Sequence, residues 1–144
     1  MVLSFRVVRG PEAVSALEAE WNTLHSRSRE RRFSASYCWC WTSWEAIHKP
    51  FGHQLCVLVG AEHGDLVLIW PFVIFPEHRL SRAMLLGTAD GEYGHGLMAQ
   101  SSSMQCPISA AWRYLRGNPI ADLISFQGLC EDAELFQDLK PGLA

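Results

Sequence analysis

The chain has no apolar run long enough for a membrane-spanning helix. Its longest, LVLIWPFVIF from Leu66 to Phe75, falls short of the ~20 residues such a helix needs, and Pro71 interrupts it. The opening MVLSFRVVRG alternates apolar and polar residues and carries two arginines, so no secretory leader is expected and the expected compartment is the cytoplasm. Charge of one sign is also scarce: the formal net charge is -3, which gives no general attraction to nucleic acid or anionic lipid. The one basic stretch, SRSRERR from Ser26 to Arg32, reads as a solvated loop, with an anion-binding patch as the alternative. Metal-ligand spacings are missing too, since no H-x-x-x-H or C-x-x-C occurs. Cys38, Cys40, Cys56, Cys106 and Cys130 are odd in number and irregularly spaced, so reduced thiols are expected. Cys38 and Cys40 look like a ligand pair, but on a helix residues i and i+2 point about 200° apart and cannot share one ion. No structural metal is expected.

What the chain does have is material for a core. Of 144 residues 49% are apolar, six of them tryptophan, enough for one packed domain, expected over 1–130 with a tail over 131–144. Phe5 to Val8 predicts a strand. Pro11 to about Ser26 predicts an amphipathic helix with Val14, Leu17, Trp21 and Leu24 inward. A second helix is expected from about Ser36 to His48, capped by Ser34 or Ser36, with Tyr37, Trp41, Trp44 and Ile47 or His48 on one face and Lys49, Pro50 and Gly52 ending it. That aromatic stripe is read as core in preference to a stacking platform for bases or sugars.

The period then changes from helical to extended. Gln54–Gly60, the turn AEHGD and Leu66–Phe75 predict a hairpin whose second strand is apolar on both faces and therefore central. Pro71 cannot donate to a ladder and should mark a bulge or a divergence of strands. Ser81–Gly87 is a further strand. Pro107 begins a third helix, with Ile108, Ala111, Trp112 and Leu115 as its stripe, and Ala121–Gly128 predicts the last strand. The order β-α-α-β-β-β-loop-α-β is that of an α/β layered domain with a mixed, mostly antiparallel sheet flanked by helices.

The loop in question is GTADGEYGHG, Gly87 to Gly96, whose last six residues read G-x-x-G-x-G. Such glycines let a backbone approach a pyrophosphate. Here Asp90 and Glu92 place two carboxylates beside the would-be anion, and like charges at 4 Å cost ~1 kcal/mol even in water. No helical periodicity follows until Pro107. A phosphate cradle is therefore disfavoured. What remains is a strand-end loop on which Asp90, Glu92, Tyr93 and His95 gather acceptors, a phenol and an imidazole, suited to lining a substrate or interdomain cleft. The plainer alternative is a turn with Tyr93 packed and the acids solvated. A Cys106–His95–Asp90 nucleophile is disfavoured, because nothing local activates the thiol.

Trp21, FSASYCWCWTSW (Phe33 to Trp44), QLCVLVGAEHGDLVLIWPFVI (Gln54 to Ile74), LLGTADGEYGHGLM (Leu85 to Met98) and ADLISFQGL (Ala121 to Leu129) together resemble the amino-terminal half of the CelD-like acyltransferases, of the wider GNAT group and similar to FemAB proteins. The resemblance implies two GNAT-like folds in tandem, of which the second binds acetyl-CoA or another acyl donor and would follow this chain. A GNAT pyrophosphate loop resembles R/Q-x-x-G-x-G/A, and Gly91 stands where its arginine or glutamine is wanted. No cofactor and no catalytic residue are therefore expected on this chain. The function expected from the resemblance is that of a non-catalytic half of an N-acyltransferase. Its partner would be a carboxy-terminal GNAT-like domain or a second copy of itself as a homodimer. The alternative is a stand-alone, self-associating module without chemistry.

Overall fold

The computed structural model describes residues 3–28, 33–86, 97–98 and 107–125. Its spine is the pair of strands β2 (Gln54–Glu62) and β3 (Asp65–Glu77), joined by a turn at His63 and Gly64. Both are buried on two faces along most of their length, as their uninterrupted apolar sequence requires. Strand β1 (Ser4–Arg9) pairs antiparallel with β2, and β4 (Leu80–Leu85) antiparallel with β3. Strand β6 (Leu123–Ser125) runs parallel to β4, so the order is β1-β2-β3-β4-β6, and the short β5 (Leu97–Met98) also pairs with β3. The architecture is thus α/β layered around a mixed, mostly antiparallel sheet.

Helices cover both faces. On one side α1 (Pro11–Ser15), α2 (Glu18–Arg27) and α3 (Tyr37–Ser43) set Val14, Leu17, Trp21, Leu24 and Tyr37 against Leu55, Val57, Val59, Ile69 and Val73. On the other, α4 (Pro107–Gly117) sets Ala111 and Leu115 against Leu58, Leu68, Trp70 and Phe72. The alternation along β2, odd residues to one layer and even residues to the other, is the period-2 geometry of a strand between two helical layers. Among the described residues no helix is long and apolar enough to cross a membrane.

The first helix departs from expectation by breaking in two. Ser15 Oγ donates to the Glu12 carbonyl at 2.9 Å, in competition with the helical ladder, and Leu17 N–H turns back to the Val14 carbonyl at 2.9 Å. The helix restarts with Trp21 N–H on Leu17 O. A lost backbone hydrogen bond costs about 1 kcal/mol. Burial of each of Val14, Leu17 and Leu24 contributes ~1.5–3 kcal/mol, so the packing stripe outweighs the break.

Pro71 meets the expectation of diverging strands. On the edge of β3 away from β2, Phe72–Glu77 pair with β4, whereas Leu68 and Ile69 pair with β5. Pro71 lies between, and its carbonyl accepts the Leu86 N–H at 2.8 Å. A bulge does occur, but at Val67: the β2–β3 register passes from Gly60 opposite Leu68 to Ala61 opposite Leu66, leaving Val67 as the extra residue. The expected last strand, Ala121–Gly128, is described as far as Ser125, and the expected tail over 131–144 lies outside the described residues.

Candidate functional site

Asp90, Glu92, Tyr93 and His95 all lie outside the described residues, as does Cys106. Their segment is framed by residues that are described. Leu86 holds the Pro71 carbonyl, and Leu97 is opposite Ile69. Strands β4 and β5 thus occupy successive stretches of one edge of β3, with residues 86–96 between them in the sequence. Trp70, the residue of β3 between Pro71 and Ile69, is buried.

Among the described residues, chemistry gathers where α3 runs into β2. Ser36 caps α3, its Oγ accepting the Trp39 N–H at 3.2 Å, so of the two caps expected from the sequence Ser36 is the one that acts. After Ser43 the helix widens into a π-turn over Trp44–His48, then tightens into a 3-10 turn over Lys49–Phe51. Pro50 accounts for the change, because it has no N–H to continue the ladder and its ring crowds the preceding turn. Gly52, at φ 72°, reverses the chain, and His53 N–H closes the loop on the His48 carbonyl at 3.3 Å.

This double turn brings together two imidazoles that the sequence separates. Nδ1 of His48 lies 3.1 Å from Nδ1 of His53. The ring centroids are 5.3 Å apart, longer than the nitrogen separation by nearly two ring radii. The nitrogens therefore point at each other along the line of centres, as in a hydrogen bond, and do not converge on a shared ion. One Nδ1 carries the proton and the other accepts it. His48 is only 5% exposed. Burial, and secondarily the charge of His53, hold its pKa below the ordinary imidazole value. The His53 ring stacks on Phe75 of β3 at 4.9 Å and under Phe51 at 5.9 Å, and Phe51 is 76% exposed. Within the same π-turn the buried indole Nε1 of Trp44 has no hydrogen-bond acceptor among the described residues. π-turns are frequent at functional sites.

Cys40, Cys56 and Tyr37 are inert by placement. Cys40 is buried, and its thiol is pushed up to about 12 by desolvation. Burial also raises the Cys56 thiol, with Arg9 opposing the shift. Desolvation, with the charges of Glu18 and Glu45, raises the Tyr37 phenol, whose ring packs edge-on to Trp21 at 5.5 Å and flat on Trp41 at 5.7 Å. The aromatic stripe of the second helix is core. Among the described residues no cluster of three or more His, Cys, Asp or Glu is placed to hold a metal ion.

Sequence reasoning missed the histidine pair. His48 and His53 fall at no recognisable ligand or catalytic spacing, and only the turn at Pro50 and Gly52 joins them. Compared with known proteins, the chain matches no family model, and no curated protein is similar enough to assign one.

Proposed function

We propose that this chain is the non-catalytic, GNAT-like amino-terminal half of a cytoplasmic N-acyltransferase. It contributes acceptor-site or interdomain surface, and the acyl-CoA site belongs to a second GNAT-like domain. The observation that carries the reading is the order β1-α1-α2-α3-β2-β3-β4-β5-α4-β6, in which an otherwise antiparallel sheet ends in a parallel β4–β6 pair joined across α4. The strand divergence at Pro71 supports it as well, since it frames the segment carrying Asp90, Glu92, Tyr93 and His95, the residues proposed to line the cleft.

Titration of the isolated chain with acetyl-CoA by calorimetry tests this reading. No saturable binding is expected at micromolar concentration, and saturable binding there would overturn the assignment. The coding sequence beyond Ala144 provides a second check: a continuing frame with R/Q-x-x-G-x-G/A ahead of a helix is the expected result.

One observation favours a second reading, a self-associating module with no chemistry. The outer edge of β6 has no strand beside it among the described residues, and Leu123 on it is 43% exposed. An apolar edge of this kind is covered economically by a second copy, giving a homodimer. A sedimentation profile showing only monomer at micromolar concentration excludes it.

A further inference from the structure

We propose that the His48–His53 contact is a pH-sensitive latch that fastens the end of the α3 helical segment to the start of β2, closed while the pair holds no more than one extra proton and open when both rings are charged. The inference stands apart from the acyltransferase reading and rests on the geometry of the pair.

A proton count shows why. In the neutral pair each ring carries one proton, and one Nδ1–H points at the other ring's bare Nδ1, 3.1 Å away. A first extra proton goes to Nε2 of the donor ring and leaves the contact intact, strengthening it by charge. A second must go to the accepting Nδ1. Two N–H groups, each on a cation, would then face each other across that distance, and the contact cannot persist. His48 cannot relieve the repulsion in place, because it is buried.

Among the described residues no carboxylate is paired with either ring. Glu45 and Lys49, on the same helical segment, are exposed, and Gln54 at the start of β2 is neutral. On β3 and β4, Glu77 and Arg82 are taken up with each other at 2.7 Å, and Arg9 of β1 acts on Cys56. The half-buried His53 is the free end of the latch. It sits beside Gly52 and is held by stacking between Phe75 and Phe51, so opening moves its ring off Phe75.

The test is a titration of the full chain from pH 8 to 4.5, following histidine side-chain and phenylalanine ring resonances by NMR. Two coupled imidazole steps are expected, with the Phe75 ring shifting at the second step while the amide spectrum stays dispersed. Independent titration of the two rings with Phe75 unmoved, or a Phe75 shift that coincides with loss of amide dispersion, would overturn the proposal. In His53→Gln, which keeps a hydrogen-bonding group but no titrating ring, the acid shift at Phe75 is expected to vanish, and its persistence would equally overturn it. Should that variant not fold, the wild-type titration decides alone.

Discussion

Phe5 and Gly60 lie opposite each other on β1 and β2, and the phenyl ring fills the space that a side chain on residue 60 would need. A Cβ on Gly60 would stand 2.8 Å from Cε1 of Phe5 and 3.3 Å from Cβ of Leu68. The glycine is required by close approach, and the ring above it supplies the packing that glycine lacks. Phe5 is further engaged with Tyr114 of α4 at 5.5 Å, so it ties the edge strand to the helix layer. Gly60→Ala should therefore destabilise the fold by about 1–3 kcal/mol, the usual range for overpacking. Urea unfolding measures it, and Phe5→Leu in the same background should recover part of the loss. An alanine variant as stable as the parent would show that the ring moves aside freely.

The hairpin of β2 and β3 was legible in the sequence because its residues are apolar without alternation and its turn contains glycine. So was α4, whose Ala111, Trp112 and Leu115 repeat at helical spacing. What the sequence pattern did not display is set by local hydrogen bonds and turns that leave the hydrophobic spacing unchanged. The break at Ser15 follows from a side-chain hydrogen bond that competes locally with the helix, while hydrophobic spacing runs through it unchanged. The π-turn at Trp44–His48 leaves no mark on composition beyond Pro50. Strand β5 is too short to show a period. The pairing of His48 with His53 exists only once Gly52 has turned left-handed, and no motif announces that.

The β3–β4 turn offers a stabilising change. His78 adopts φ 52° at the first turn position while its side chain is exposed. A left-handed backbone costs a residue with a Cβ about 1–2 kcal/mol, whereas glycine adopts it freely at the cost of ~0.5–1 kcal/mol in unfolded-state entropy. His78→Gly should gain about 0.5–1 kcal/mol, raising Tm by roughly 2 °C. A thermal scan showing a fall in Tm would mean that the imidazole contributes to the fold.

The thiols of α3 should differ sharply in reactivity although they are two residues apart. Cys38 is exposed, whereas Cys40 is buried with its thiol pushed up to about 12. Thiolate is the reactive form, so iodoacetamide at pH 8 should label Cys38 in the native protein and reach Cys40 only after denaturation. Both fall in one tryptic peptide, so fragment sequencing by mass spectrometry must place the label. Equal labelling of the two in the native state would contradict the packing of Cys40 against Trp21 and Trp44 in one core.

His48 makes stability depend on pH, and the sign follows from its burial. The folded environment disfavours the imidazolium, first by desolvation and then through His53, so the folded-state pKa lies below the unfolded one. Between the two values the unfolded chain binds more protons, and stability therefore falls as pH falls. The contribution is fully present above the ordinary imidazole pKa of ~6.5 and is lost as pH drops through the depressed folded value. The urea midpoint should accordingly be lower at pH 5 than at pH 7.5, and His48→Gln should reduce that difference while leaving the part due to carboxylates. A pH dependence identical in the variant and the parent would remove His48 as its source, and would require its imidazole to be as well solvated in the folded chain as in the unfolded one.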